Sequence, residues 1–138
     1  MSSLKNVKDF MNGNIVTISL KASVTDAAKL MLKHKISSLI VKQDETYYGI
    51  LTEEDITQKV VAQDLVPTEV PVVKIMTPDI IAIESRTTMR DAFLEMNKRK
   101  VRHIAVTEHG HYIGVLSVKD FASYYANWLE EKKNAKGG

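Results

Sequence analysis

Gly49-Ile-Leu-Thr52-Glu-Glu-Asp55 recurs in this chain as Gly114-Val-Leu-Ser117-Val-Lys-Asp120. Both stretches contain a glycine, two apolar residues, a hydroxyl residue and an aspartate three positions further on. The match extends outward, because a displacement of 65 positions (76 − 11) places residues 11–56 on residues 76–121 without a gap. Identities fall at turns, helix starts and apolar positions, and this distribution predicts an internal duplication.

Each copy predicts the element order strand, helix, strand, strand, helix. In the first copy the β-branched strand Ile15–Ile18 follows a turn signal, and Ser23 is a helix N-cap with Asp26 in the first turn. The remaining predicted elements of that copy are the strands Ile36–Lys42 and Tyr47–Leu51 and a helix capped by Thr52 and Asp55. The second copy predicts the strand Ile80–Ile83, the helix Met89–Arg99, the strands Arg102–Thr107 and Tyr112–Leu116, and a helix from Val118.

The predicted fold class is α/β (α+β), with two β-α-β-β-α repeats packed through their small sheets into one pseudo-two-fold globule. A single repeat holds too small a core to be stable alone, which favours this packing. Residues 63–71 contain Pro67 and Pro71, which break the helical pattern and predict a linker. We therefore expect residues 1–66 to form the first repeat with the N-terminal segment. Residues 67–138 are expected to form the second repeat with the C-terminal helix and tail.

The composition is that of an ordinary globular protein, with 44% hydrophobic and 26% charged residues. No apolar stretch is long enough to span a bilayer, so no membrane partner is expected. The absence of cysteine excludes disulfides, thiolate ligands and cysteine nucleophiles, and it suits a cytoplasmic protein. A net charge of +2 gives little support for nucleic-acid binding. The dense basic run, Lys132, Lys133 and Lys136, is predicted to be a solvated tail.

The duplicated motif, in register and in this element order, resembles the cystathionine β-synthase (CBS) domain pair, or Bateman module. The resemblance covers nearly the whole chain. It implies a stand-alone regulatory module that binds an adenine nucleotide (AMP, ADP or ATP) between the repeats and signals to a partner protein by changing shape. S-adenosylmethionine and a dinucleotide are the alternative ligands. The alternative functions are a ligand-free dimerisation or docking module and, third, a nucleic-acid-binding protein.

The resemblance also implies two nucleotide sites, each combining residues of both copies. In each site the hydroxyl residue contacts phosphate and the aspartate holds the ribose. The stronger site is expected to include cationic side chains, and its residues are Thr52, Asp55, Met76, Asp79, Ile81, Val101, Arg102, His103 and Lys119. The weaker site has Glu54 where the stronger one has Lys119, and its residues are Met11, Asn14, Val16, Ile36, Ser37, Ser38, Ser117 and Asp120.

These polar residues also have structural explanations that the sequence leaves open. Every Ser/Thr-x-x-Asp unit is a helix cap, which is the favoured explanation for Ser23 with Asp26 and for Thr88 with Asp91. The cations of the stronger site also fit exposed strand residues that pair with nearby acids.

Catalysis has little support in the sequence. It contains no P-loop, no nucleophile elbow and no Gly-x-Gly-x-x-Gly motif. His109 and His111 fall in a predicted hairpin turn, and the sequence suggests no third metal ligand for them. No catalytic residue, metal site or catalytic cofactor is therefore predicted.

The last helix carries an apolar stripe at helical spacing, formed by Phe121, Tyr124, Tyr125, Trp128 and Leu129. The corresponding helix of the first copy has no aromatic residue. An unmatched aromatic stripe predicts a homodimer contact around Tyr124, Tyr125 and Trp128, and coverage of the chain's own core is the alternative.

Overall fold

The computed structural model describes residues 5–137, with side chains described as far as residue 135. Strands and helices alternate as two small sheets with their helices, which confirms the predicted α/β class. The chain separates into two compact units. Residues 15–80 form the first-repeat unit, and residues 5–14 with 81–137 form the second-repeat unit.

The first-repeat unit contains one sheet with the strand order β1-β2-β3-β4. Its strands are β1 (Thr17–Ile18), β2 (Ser38–Gln43), β3 (Thr46–Thr52) and β4 (Thr77–Pro78). Its helices are α1 (Val24–His34) and α2 (Glu53–Ile56), and α2 continues as the π-helical turn Thr57–Val61. β1 is parallel to β2, whereas β3 is antiparallel to both β2 and β4. The sequence pattern did not predict β4.

The core of the first-repeat unit lies between α1 and the hairpin of β2 and β3. Ala27 and Met31 on α1 are buried together with Leu39, Val41 and Leu51 on the two strands. Helical spacing on one side and strand alternation on the other place these apolar residues on facing surfaces. Ser23 and Asp26 form the predicted capping box, in which each side chain accepts the other residue's backbone N–H.

The second-repeat unit repeats this construction. Its strands, in the order β5-β6-β7, are β5 (Ala82–Glu84), β6 (His103–Glu108) and β7 (His111–Ser117), and its helices are α3 (Met89–Arg99) and α4 (Val118–Gly137). The two hairpins share their irregularity, because the register shifts after Val41 in one and after Val106 in the other. The shared irregularity supports the duplication independently of the sequence identities.

The segment that precedes each repeat packs in the unit of the other repeat. Val7 is fully buried in the second-repeat core, and its counterpart Val72 is fully buried in the first-repeat core. The division of the chain therefore differs from the predicted boundary between residues 66 and 67. Residues 5–14 join the second repeat, and residues 67–80 join the first.

Two lysines attach the N-terminal segment to the second-repeat unit. The Lys8 ammonium lies 2.9 Å from a carboxylate oxygen of Glu108, and the buried Ser85 hydroxyl donates to the same oxygen at 3.0 Å. These two hydrogen bonds lower the pKa of Glu108. Lys5 donates to the Asn127 side chain on α4 at 2.8 Å. The segment is thus fixed by ion pairing in addition to its buried valine.

Candidate functional site

The motif at the start of α2 forms a closed capping box. Oδ2 of Asp55 accepts hydrogen bonds from the Thr52 backbone N–H at 3.0 Å and from the Thr52 hydroxyl at 3.1 Å. The Asp55 N–H donates to the Thr52 hydroxyl oxygen at 3.2 Å. The helix-cap explanation of this motif is therefore confirmed, because the two residues together cap the N-terminus of α2.

The first turn of α2 offers fewer free donors than a phosphate seat would need. The Glu53 N–H donates to the carbonyl of Ser37 at 3.1 Å, and the Asp55 N–H is taken by Thr52. These two N–H groups are therefore not available to a phosphate. A phosphate at Thr52 has to depend on the hydroxyl and on side chains from elsewhere.

Asp55 is a buried carboxylate with a lysine partner. The residue is only 8% exposed, although its chemistry favours water. Its Oδ1 lies 2.9 Å from the ammonium of Lys59, whose side chain is 44% exposed. The sequence interpretation missed Lys59, although the Asp-x-x-x-Lys spacing on a helix was a readable signal.

Lys59 also contacts the segment that leads into β4. Its ammonium donates to the backbone carbonyl of Ile75 at 3.0 Å. Two residues further on, β4 pairs with β3, so that Ile50 lies opposite Thr77. The Lys59 contact and the pairing of β3 with β4 therefore connect the Thr52–Asp55 motif to the segment that contains Met76.

Gly49 permits the close approach of β4. A Cβ atom at this position would overlap the carbonyl oxygen of Thr77 and lie 3.1 Å from Sδ of Met76. Asp79, which follows β4, adopts a left-handed backbone conformation with φ of 58°. The glycine of the motif thus serves packing against β4, which the sequence alone did not reveal.

The corresponding motif of the second repeat is built from different chemistry. Oδ2 of Asp120 accepts from the Ser117 backbone N–H at 2.7 Å and from the Ser117 hydroxyl at 3.3 Å. The residue four positions later is Tyr124 instead of lysine, and burial raises the pKa of Asp120. The two motifs are therefore unequal, because Asp55 is paired with Lys59 whereas a tyrosine stands at the equivalent position after Asp120.

The predicted site residues are distributed over both units. The first-repeat unit holds Thr52, Asp55, Met76 and Asp79 of the stronger site and Val16, Ile36, Ser37 and Ser38 of the weaker site. The second-repeat unit holds Ile81, Val101, Arg102, His103 and Lys119 of the stronger site and Met11, Asn14, Ser117 and Asp120 of the weaker site. Each unit thus contributes to both of the expected sets.

The cations expected at the stronger site lie near the β6–β7 hairpin. Arg102 and Lys119 are exposed, and His103 is half-buried. The Arg102 carbonyl accepts the first N–H of α4, from Val118, at 3.0 Å, and His103 pairs with Ser117 across the hairpin. Their own motif neighbours are therefore Ser117 and Asp120.

The remaining sequence interpretations concern metals and membranes. His109 and His111 flank the exposed turn between β6 and β7. Residues 5–137 contain no group of three or more histidines and acids arranged to hold a metal ion. Within the same described range, no helix has the length and apolarity needed to cross a membrane.

The aromatic stripe of α4 divides into an inner and an outer part. Phe121 and Tyr124 pack on the second-repeat core, which confirms the alternative for these two residues. Tyr125 stays 57% exposed and Leu129 46% exposed, and the Tyr125 ring stacks on Trp128 at 5.7 Å. Tyr124 is partly buried by this packing, and the well-exposed apolar residues of the stripe are Tyr125 and Leu129.

The model of the CBS domain family matches residues 7–62 and 72–127. The chain belongs to the CBS domain family. The two matches coincide with the two copies of the duplicated motif, and they confirm the tandem arrangement of a CBS pair.

Curated relatives include proteins of similar and of much greater length. CBS domain-containing protein YhcV of Bacillus subtilis is 24% identical over 119 residues, which are 86% of this chain and 84% of that protein. CBS domain-containing protein CBSCBSPB1 of Arabidopsis thaliana is 30% identical over 115 residues, which are 83% of this chain. The match spans only 21% of the plant protein's length.

Solved structures of CBS proteins share the fold. An uncharacterised conserved protein of Pyrococcus horikoshii superimposes with a TM-score of 0.82 at 27% identity, covering 89% of this chain and 93% of that one. A hexameric CBS-CP12 protein of bloom-forming cyanobacteria gives 0.81 at 30% identity, covering 86% and 67%. A proposed signal-transduction protein with CBS domains from Burkholderia ambifaria gives 0.80 at 28% identity, covering 86% and 91%.

Proposed function

We propose that this CBS pair is a regulatory module that binds an adenine nucleotide and signals to a partner protein by a change of conformation, without catalysing a reaction. The observation that carries the proposal is the state of Asp55, which is almost fully buried at the duplicated motif. Its Oδ2 accepts two hydrogen bonds from Thr52, and its Oδ1 contacts the ammonium of the half-exposed Lys59. The Oδ1 atom of this carboxylate is the acceptor that the proposal assigns to the ribose.

The proposed site takes its phosphate contacts from cationic side chains. Arg102, His103 and Lys119 supply up to three positive groups, and arginine and lysine form charge-assisted hydrogen bonds with phosphate. The crowded first turn of α2 makes these side chains more important, because its N–H groups are largely committed. The second motif is the weaker nucleotide site, since Glu54 stands where the stronger site has Lys119 and no cluster of cations is expected there.

The test of this proposal is a calorimetric screen of the pure chain with AMP, ADP, ATP, NAD and S-adenosylmethionine. We expect saturable binding of at least one adenine nucleotide and no turnover of ATP over the same period. GMP is the matched control, because it keeps the ribose and phosphate and changes only the base. If none of the five ligands binds and the chain is folded, the ligand-free docking module becomes the better explanation.

A second role, self-association, is favoured by the outer part of the α4 stripe. Tyr125 and Leu129 are exposed large apolar residues on one helix face, and one structurally similar CBS protein is a hexamer. We propose that the chain forms a homodimer through this face.

The basic run after it gives little support to nucleic-acid binding, because the Lys132 ammonium lies 4.6 Å from the centre of the Trp128 ring. The side chain of Lys136 lies outside the described residues.

Replacing Tyr125 and Leu129 together by serine should convert the dimer to a monomer in sedimentation equilibrium. Neither side chain is part of the second-repeat core, so the fold should be retained. Leu32→Ser is the matched control, because Leu32 is 79% exposed on α1 and should not affect the mass. An unchanged dimer mass in the double variant, or a monomeric wild-type chain, would contradict this contact.

A further inference from the structure

Lys59 occupies a position that has an exact counterpart in the second repeat, and the two positions have different chemistry. In the first-repeat unit the Lys59 ammonium contacts the carbonyl of Ile75. A displacement of 65 positions takes Lys59 forward to Tyr124 and Ile75 back to Phe10. The rings of Tyr124 and Phe10 meet edge to face with centroids 5.3 Å apart. In both units, therefore, the helix that follows the motif contacts the leading segment that packs there, which precedes the other repeat in the chain. The contact is a hydrogen bond in the first-repeat unit and an aromatic pair in the second-repeat unit.

The Lys59 ammonium competes with a ribose for Oδ1 of Asp55. A carboxylate offers about four lone-pair positions. Three donors already contact Asp55, namely the Thr52 N–H, the Thr52 hydroxyl and the Lys59 ammonium. A vicinal diol brings two donors to a carboxylate with about one position left. One of the present donors has to leave before both hydroxyls can bind.

Lys59 is the donor that can leave most easily. The Thr52 groups are fixed by the capping box, because the Thr52 hydroxyl oxygen also accepts the Asp55 N–H. The Lys59 side chain is 44% exposed and can turn its ammonium into water. It also lies in the π-helical turn Thr57–Val61, a helix type that is rare and frequent at functional sites.

We propose that the contact from Asp55 through Lys59 to the Ile75 carbonyl is a latch that a bound ribose diol releases. The proposal rests on the proposed nucleotide site at Asp55 and adds how occupancy of that site is transmitted. When the diol takes Oδ1 of Asp55, the Lys59 ammonium withdraws and the Ile75 carbonyl loses its partner. The segment of residues 75–79, which contains β4 and runs directly into the second repeat, is loosened. The second repeat has Tyr124 in place of Lys59, so it has no ammonium group at this position to release.

The test combines amide hydrogen exchange with calorimetry on the whole chain, using AMP and adenosine as probes and Lys59→Met as the variant. Methionine keeps the apolar stem of lysine and removes the ammonium. Exchange in residues 75–79 should be faster in ligand-free Lys59→Met than in the ligand-free wild-type chain. AMP should accelerate exchange there in the wild-type chain and change it little in the variant. Peptides covering residues 7–12 are the internal control and should not respond.

Adenosine separates the competition from charge effects, because it carries the diol without a phosphate. Lys59→Met should bind adenosine about two- to five-fold more tightly than the wild-type chain, the range expected when a partly exposed ion pair no longer has to be broken. Lys59→Arg, which keeps the cation, should behave like the wild-type chain.

The outcomes separate the latch from the nucleotide site. If AMP binds but slows exchange in residues 75–79, or if Lys59→Met binds adenosine equally or more weakly, Lys59 stays in place and the latch is wrong while the site stands. If neither AMP nor adenosine binds the wild-type chain, the release mechanism fails. The proposed function fails as well only if ADP and ATP also do not bind.

Discussion

Gly49→Ala is expected to lower the free energy of unfolding by about 2–3 kcal/mol, the upper part of the range for forced overpacking. The added methyl group would overlap the backbone carbonyl oxygen of Thr77, which cannot move aside as a flexible side chain does. The pairing of β4 with β3 should therefore be lost. Urea denaturation monitored by circular dichroism measures the effect.

Gly114 and Gly13 provide the matched comparisons. At Gly114 the added methyl would lie 2.5 Å from Sδ of Met11 and 2.7 Å from the carbonyl oxygen of Asn12, so Gly114→Ala should also be destabilising. At Gly13 the nearest atom is the Ile113 carbonyl oxygen at 4.0 Å, and Gly13→Ala should be nearly neutral. If Gly49→Ala costs no more stability than Gly13→Ala, β4 does not pack against β3 as described.

Asp55→Ala is expected to weaken nucleotide binding by about a hundred-fold or more, because hydrogen bonds to a charged group contribute about 1.5–3 kcal/mol each. The substitution removes the acceptor proposed for both ribose hydroxyls. Asp120→Ala should leave the tighter binding event nearly intact, because its motif belongs to the weaker site. Calorimetric titration with AMP distinguishes the two variants.

Loss of a helix cap has to be separated from loss of a ligand contact. Asp26→Ala removes the aspartate of the α1 capping box and should not change AMP binding. Arg102→Ala should weaken AMP binding while leaving adenosine binding unchanged, since its role is with the phosphate. If Asp120→Ala is more damaging than Asp55→Ala, the assignment of the stronger site is wrong.

The sequence was sufficient for the helix starts and the hairpins of both repeats. The first strand of each repeat is shorter than predicted, with Thr17–Ile18 instead of Ile15–Ile18 and Ala82–Glu84 instead of Ile80–Ile83. Helix α3 has the bounds that were predicted, Met89–Arg99, and α1 begins after the predicted cap at Ser23. These elements depend on local signals, because capping residues and apolar spacing act within one or two turns. The two hairpins likewise depend on neighbouring residues, and their predicted positions agree with the structure to within two residues at each end.

The exchange of the leading segments could not be predicted in the same way. Val7 and Val72 occupy equivalent positions, and either valine suits the apolar core of either repeat. Which core each enters is decided by tertiary packing, which periodicity does not encode. The two-residue strand β4 escaped prediction for a related reason, since Thr77 and Pro78 carry no strand pattern and pair only because Gly49 leaves room.

The motif residues were predictable from the sequence, whereas their hydrogen bonds were not. Their part in a nucleotide site stays a prediction. The motif positions Thr52 and Asp55 were readable, but their hydrogen bonds to each other were one of two open explanations. Because the second copy has Tyr124 at the equivalent position, the repeat pattern does not mark Lys59. Its contact with the Ile75 carbonyl joins residues 16 positions apart and depends on the folded segment before β4.

The most direct test of the nucleotide site at Asp55 is a crystal structure of the chain grown with AMP. The proposal predicts that both ribose hydroxyls lie within hydrogen-bonding distance of the Asp55 carboxylate, that Lys59 has left Oδ1, and that the phosphate contacts Arg102. A nucleotide whose ribose lies on Asp120, with Asp55 still paired to Lys59, would contradict it.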